Sequence, residues 1–96
     1  MQMRDVRNLI VELTNSEKDF LIYILDKLIK AKGYKLIVLR DQLVKLGYAD
    51  KTIRNVIRLL AVAEIIKHHS TGRKQELISV CGIASFYNLI KELGVR

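Results

Sequence analysis

Four side chains in one short stretch could do chemistry together: Lys51, Arg54, Asn55 and Arg58. On a helix advancing about 100° per residue they share one face. Ile53, Val56, Ile57 and Leu60 share the opposite face, joined by Glu64. An arginine guanidinium matches the O6 and N7 acceptors of guanine as a bidentate donor, and an asparagine amide matches N6 and N7 of adenine. A lysine neutralises phosphate. Asp50 stands where a carboxylate can accept the first free N–H groups of such a helix, so it is the expected N-cap. Thr52 in the first turn and Tyr48 just before it add hydroxyls able to donate to a phosphate. These residues predict a helix over 50–64 that offers a cationic face to duplex DNA.

The charge balance agrees with that expectation. The 96 residues carry 17 Lys and Arg against 10 Asp and Glu, a net charge of +7. Between positions 51 and 74 the cations Lys51, Arg54, Arg58, Lys67, Arg73 and Lys74 face only Glu64. A basic stretch of this kind attracts polyanions, through counterion release when the partner is DNA.

Other chemistries find less support. His68 and His69 are adjacent, and neighbours on a strand point to opposite faces, so they are poorly placed to share one metal ion. Cys81 is the sole cysteine, which excludes an internal disulfide and suits a reducing, cytoplasmic setting. It ends an apolar run and reads as a packed small side chain rather than a nucleophile. Glu12, Glu17, Asp19, Asp26 and Asp41 read as helix-surface charges, and no glycine-rich phosphate loop or nucleophile elbow is present. Tyr23, Tyr34, Tyr48 and Tyr87 fall on four different elements, which argues against a stacking platform for single strands. No catalytic residue, cofactor or metal is therefore expected. Nor is a membrane span, since no apolar run approaches ~18 residues, and no apolar leader segment is readable near Arg4, Asp5 and Arg7.

The positioning elements follow from period and punctuation. Met3, Val6, Ile10 and Leu13 form one stripe of a first helix over 3–13. Thr14 and Glu17 have capping-box spacing, and Leu21, Ile24, Leu25 and Leu28 then line a second helix, supported by Phe20 and Ile29, that Gly33 should stop. Tyr34 to Val38 fits either a brief strand or the start of the next helix. A third helix is expected from Val38 to Leu46, burying Leu39, Leu43 and Leu46, and Gly47 ends it. Beyond the helix at 50–64, two β-prone runs flank Ser70 to Lys74 and predict a hairpin, with Gly72 supplying a positive φ. Ile83, Phe86, Tyr87, Ile90 and Leu93 mark a last helix over 83–93, stopped by Gly94. The expected class is mainly α with a small β-hairpin (α+β), in the order α-α-(β)-α-α-β-β-α.

The run from Leu39 to Leu60 resembles a helix-turn-helix core, with Leu39, Leu43, Ile53, Ile57 and Leu60 at the apolar positions joining its two helices. With the hairpin included, residues 16–80 look like the winged helix-turn-helix family of small bacterial and archaeal transcriptional regulators. The resemblance implies a single domain over 1–96 with a recognition helix at 50–64 in the major groove and a wing at 65–80. It also implies that Arg73 and Lys74 at the wing tip reach a phosphate or a neighbouring minor groove, with His68, His69, Ser70 and Thr71 as lesser contacts. The stripes on the two terminal helices need burial, either within the chain or, as favoured, in an isologous homodimer on a palindromic site. Two rival expectations stand beside transcriptional regulation. One is a winged-helix protein–protein module in a larger assembly, and the other is architectural DNA binding without base readout.

Overall fold

The computed structural model describes Ile10 and residues 12–95. Along them run α1 (Asn15–Lys30), a 3-10 turn (Lys32–Tyr34), β1 (Lys35–Leu39), α2 (Arg40–Lys45), α3 (Asp50–Val62), β2 (Ile66–Gly72), β3 (Gln75–Val80) and α4 (Ile83–Leu93). Among the described residues this is a mixed α+β arrangement of four α-helices and one three-stranded antiparallel sheet. The helix expected over 3–13 lies outside the described residues except at its end. There Glu12 and Leu13 form a turn, Leu13 is buried and Ile10 packs against the core.

α1 begins with the expected capping box. The Thr14 hydroxyl accepts from the Glu17 N–H at 3.2 Å, and the Glu17 carboxylate accepts from the Thr14 N–H at 2.9 Å. Two of the donors that every helix start leaves unpaired are thereby satisfied. Phe20, Leu21, Ile24, Leu25 and Leu28 form its buried face. The helix ends at Lys30, before Gly33, which sits in the 3-10 turn at φ 70°.

The ambiguous segment after Gly33 is a strand. β1 pairs antiparallel along β3, from Lys35 opposite Ser79 to Leu39 opposite Gln75, and the sheet order is β1-β3-β2. Pairing consumes Val38 and Leu39, so α2 starts at Arg40 rather than Val38. Leu46, expected inside, is 64% exposed because α2 is too short to carry it to the core; it caps the helix and points outward with Val44.

α3 has the anticipated apolar face, with Ile53, Val56, Ile57 and Leu60 buried. Both ends differ from expectation. Ala49 occupies the N-cap without a side-chain bond, and Asp50 is the first helical residue, its carboxylate engaged by arginines instead. At the other end Ala63 is the C-cap and Glu64 turns left-handed at φ 62°, so the helix stops at Val62 and Glu64 leaves the buried face.

The hairpin is longer and tighter than the sequence suggests. β2 continues to Gly72, and only Arg73 and Lys74 connect it to β3. A bulge at Thr71 shifts the register between Ser70, opposite Glu76, and Gly72, opposite Gln75. The positive φ that closes the turn is borne by Lys74 (54°), not by Gly72. A two-residue turn with one extra residue absorbed in a bulge places the demanding torsion after, rather than at, the glycine.

One face of the sheet meets the helices, through Val38, Ile66 and Ile78, and the core joins these to α1, α3 and α4. α4 contributes Phe86, Leu89 and Ile90 to that core, and Gly94 caps it in the left-handed region as expected. Of the expected α4 stripe, Phe86 and Ile90 are thus buried within the chain itself and Leu93 is half-buried, leaving Ile83 and Tyr87 exposed. The Tyr87 hydroxyl shares a hydrogen bond with that of Tyr34. This bond, with lesser contributions from burial and from the neighbouring phenol's charge, raises the Tyr87 pKa above the ordinary tyrosine value.

Candidate nucleic-acid interface

Burial of the aliphatic face of α3 turns Lys51, Arg54 and Arg58 outward, with Asn55 and Thr52 half-buried between them. These side chains do not stand on an isolated helix. Lys51, Arg54, Asn55 and Arg58 line one open groove of about 670 Å³, whose far wall is the hairpin, represented by His68 and Glu76. Four of the eight residues anticipated from the sequence therefore share one surface depression.

The cations differ in how they are held. Asp50 bridges two arginines, with Arg54 Nε at 3.1 Å from one carboxylate oxygen and Arg40 Nε at 3.6 Å from the other. Arg54 is the more exposed of the two, its side chain 59% accessible against 20% for Arg40. The pair of contacts ties the start of α2 to the first turn of α3 and restrains Arg54. Lys51 and Arg58 have no ion-pair partner among the described residues, which leaves them available to an incoming anion.

At the hairpin tip Arg73 and Lys74 are exposed and lie apart from the groove. Lys74 Nζ meets Asp41 of α2 at 3.1 Å, and its carbonyl accepts from the Arg40 N–H at 2.9 Å, so the hairpin tip is fastened to α2. Tyr48, between α2 and α3, is half-buried against Phe20 and Tyr23, with ring centroids 5.2 and 5.4 Å away. Its first role is packing, holding the turn that aims α3.

Sequence reasoning passed over Arg40 and Glu76. Arg40 lies ten positions before Asp50, and nothing local marks it as a partner. Glu76 is 8% exposed and bonds His68 through one carboxylate oxygen. Its other oxygen is buried with no hydrogen-bond partner. Only the strand register, which sets His68 opposite Ile78 and Glu76 opposite Ser70, could have brought the two together.

No group of three or more His, Cys, Asp and Glu among the described residues could hold a metal ion. Cys81 is exposed, with its thiol directed at the Glu64 carbonyl at 3.3 Å. No helix among the described residues is long and apolar enough to cross a membrane. A second, smaller depression of about 130 Å³ between α1, β1 and α2 is apolar, bordered by Ile37 and Leu46. Comparison with protein-family models gives no match, and neither does comparison with curated proteins.

Proposed function

We propose that this chain is a winged helix-turn-helix protein that binds double-stranded DNA with some preference for sequence, as a transcriptional regulator does. α3 is its recognition helix in the major groove, and the β2–β3 hairpin is its wing. The observation that carries the reading is the shared groove, in which Lys51, Arg54, Asn55 and Arg58 project from one face of a helix whose other face is fully buried. Supporting it are the order of the elements, α-β-α-α-β-β-α, and the central place of β3 between β1 and β2. Lys51 and Arg58 meet phosphates or guanine edges, Arg54 and Asn55 read bases, and Thr52 donates to the backbone. Arg73 and Lys74 reach the flanking backbone from the wing, and Tyr48 stays at the edge of the contact.

The test is duplex binding across a salt series, for the wild type and for the Arg54→Ala/Arg58→Ala double variant. A regulator favours some sequences, and its affinity falls by about 1–3 kcal/mol for each base-reading arginine removed. Equal binding of all sequences would instead identify an architectural protein. If the double variant binds like the wild type, α3 is not the recognition helix.

A protein–protein role has its own supporting observation, the exposure of Ile37 (60%) and Leu46 (64%) around the apolar depression. Exposed apolar side chains grouped in this way are common at protein contacts. On that reading, Ile37→Ser/Leu46→Ser changes association with a protein partner and leaves DNA affinity unaltered.

A further inference from the structure

We infer that His68, held by the buried carboxylate of Glu76, is a proton-linked phosphate contact, so that docking of DNA takes up a proton at this pair. The inference rests on the DNA-binding reading above and adds a residue and a regulation to the same groove.

The register makes His68 and Glu76 diagonal neighbours on the core-facing side of the hairpin. Glu76 is withdrawn from water and uses one oxygen on His68 Nε2, while the other has no hydrogen-bond partner. A carboxylate in such a place is costly unless a positive partner or a proton compensates it. Its hydrogen-bonded neighbour is an imidazole, the side chain whose charge changes near neutral pH. With Nε2 engaged on the carboxylate, a protonated ring carries a second N–H at Nδ1, a charged donor suited to phosphate. The His68 side chain is 31% accessible and forms part of the groove wall facing α3.

The direction of the linkage follows from the charges around the pair. Lys51, Arg54 and Arg58 of α3 line the same groove, β1 presents Val38 opposite Glu76, and Lys67 and His69 alternate onto the other face of β2. Phosphates engage those cations and bring negative charge of their own, which favours the pair with one more proton. That proton comes from solvent and forms one N–H bond. Affinity must therefore rise as pH falls, by up to about tenfold per pH unit where the pair titrates.

The experiment is calorimetry with a mixed-sequence duplex of about two helical turns, at fixed salt and in buffers of unlike ionisation enthalpy. It is paired with affinities measured from about pH 5 to pH 8. The wild type should take up close to one proton. His68→Gln should remove both the uptake and the pH slope, Glu76→Gln should reduce them, and His69→Gln, on the other face of β2, should keep the uptake and the slope whatever it does to the affinity itself. A purely structural His68 would lower affinity equally at every pH, and that result overturns the inference. So does binding by the wild type without proton uptake, which needs no variant to fold. Absence of binding at any pH would overturn the DNA-binding reading itself, whereas binding with no proton uptake removes only this linkage.

Discussion

Asp50 places a negative charge in the first turn of α3, close to the cations of the groove, and its two arginines explain why it is tolerated there. A carboxylate in the first turn also complements the helix dipole. Asp50→Asn therefore has two opposed effects. Removing the contacts to Arg40 and Arg54 should lower stability by about 1 kcal/mol, as for a partly exposed ion pair, read as a drop in thermal midpoint. Releasing Arg54 and removing a repulsive charge should raise DNA affinity several-fold. A variant that loses both stability and affinity would mean that Asp50 aims Arg54 rather than restrains it. A second prediction at this scale concerns the Tyr34–Tyr87 hydroxyl pair. The pKa of Tyr87 is raised, so the stability it contributes is present below the ordinary phenol range and is lost as pH rises through the folded-state value. Phenolate absorbance should show one tyrosine titrating late, and Tyr34→Phe should bring it back. Of these residue-level details, the i, i+4 spacing of Asp50 and Arg54 stands in the sequence, but the expected role of Asp50 was the N-cap and not the partner of Arg54. Arg40 and the Glu76–His68 contact were not legible, because each depends on where distant segments meet.

The helices were legible because their apolar residues recur at the helical period, and Thr14 with Glu17 announces the start of α1 by chemistry alone. Thr14→Ala removes that cap and should cost about 1 kcal/mol of stability with DNA affinity unchanged, measured by denaturant unfolding and by titration. β1 was not decidable locally. Leu36-Ile37-Val38-Leu39 is an apolar run with no period of its own, and pairing with β3 settles it. Pairing also explains the late start of α2 and the outward Leu46. At the other end of the sheet, Gly82 passes close to the end of α3. A Cβ there would lie 2.5 Å from the Glu64 carbonyl oxygen and 3.4 Å from Ile65 Cα, both rigid backbone atoms. Gly82→Ala should therefore push α4 off the core and lower the thermal midpoint, with a penalty of about 1–3 kcal/mol typical of overpacking. An unchanged midpoint would show that the α3–β2 corner yields easily.

At the scale of the whole molecule, the net charge of +7 is less informative than which cations can act together. Lys51, Arg54 and Arg58 flank the groove, while Arg73 and Lys74 extend the basic surface to the hairpin tip. Two of the five already have acidic partners, Arg54 with Asp50 and Lys74 with Asp41, and on the proposed reading a base edge would replace the first and a phosphate the second. If Lys51, Arg58, Arg73 and Lys74 meet phosphates while Arg54 reads a base, the logarithm of affinity should fall against the logarithm of salt with a slope of about −3 to −4 for one protomer. An isologous dimer on two half-sites should give about twice that slope, because each protomer adds its own set. Since α4 spends Phe86, Leu89 and Ile90 on its own core, such a dimer must rely on Ile83, Tyr87 and surfaces beyond them. Sedimentation of the protein with and without duplex separates the two cases independently of the slope. Arg73→Ala/Lys74→Ala should flatten the slope by about 2 per protomer without altering the ranking of sequences. A changed ranking would mean that the wing reads bases, and an unchanged slope would mean that it never reaches the DNA.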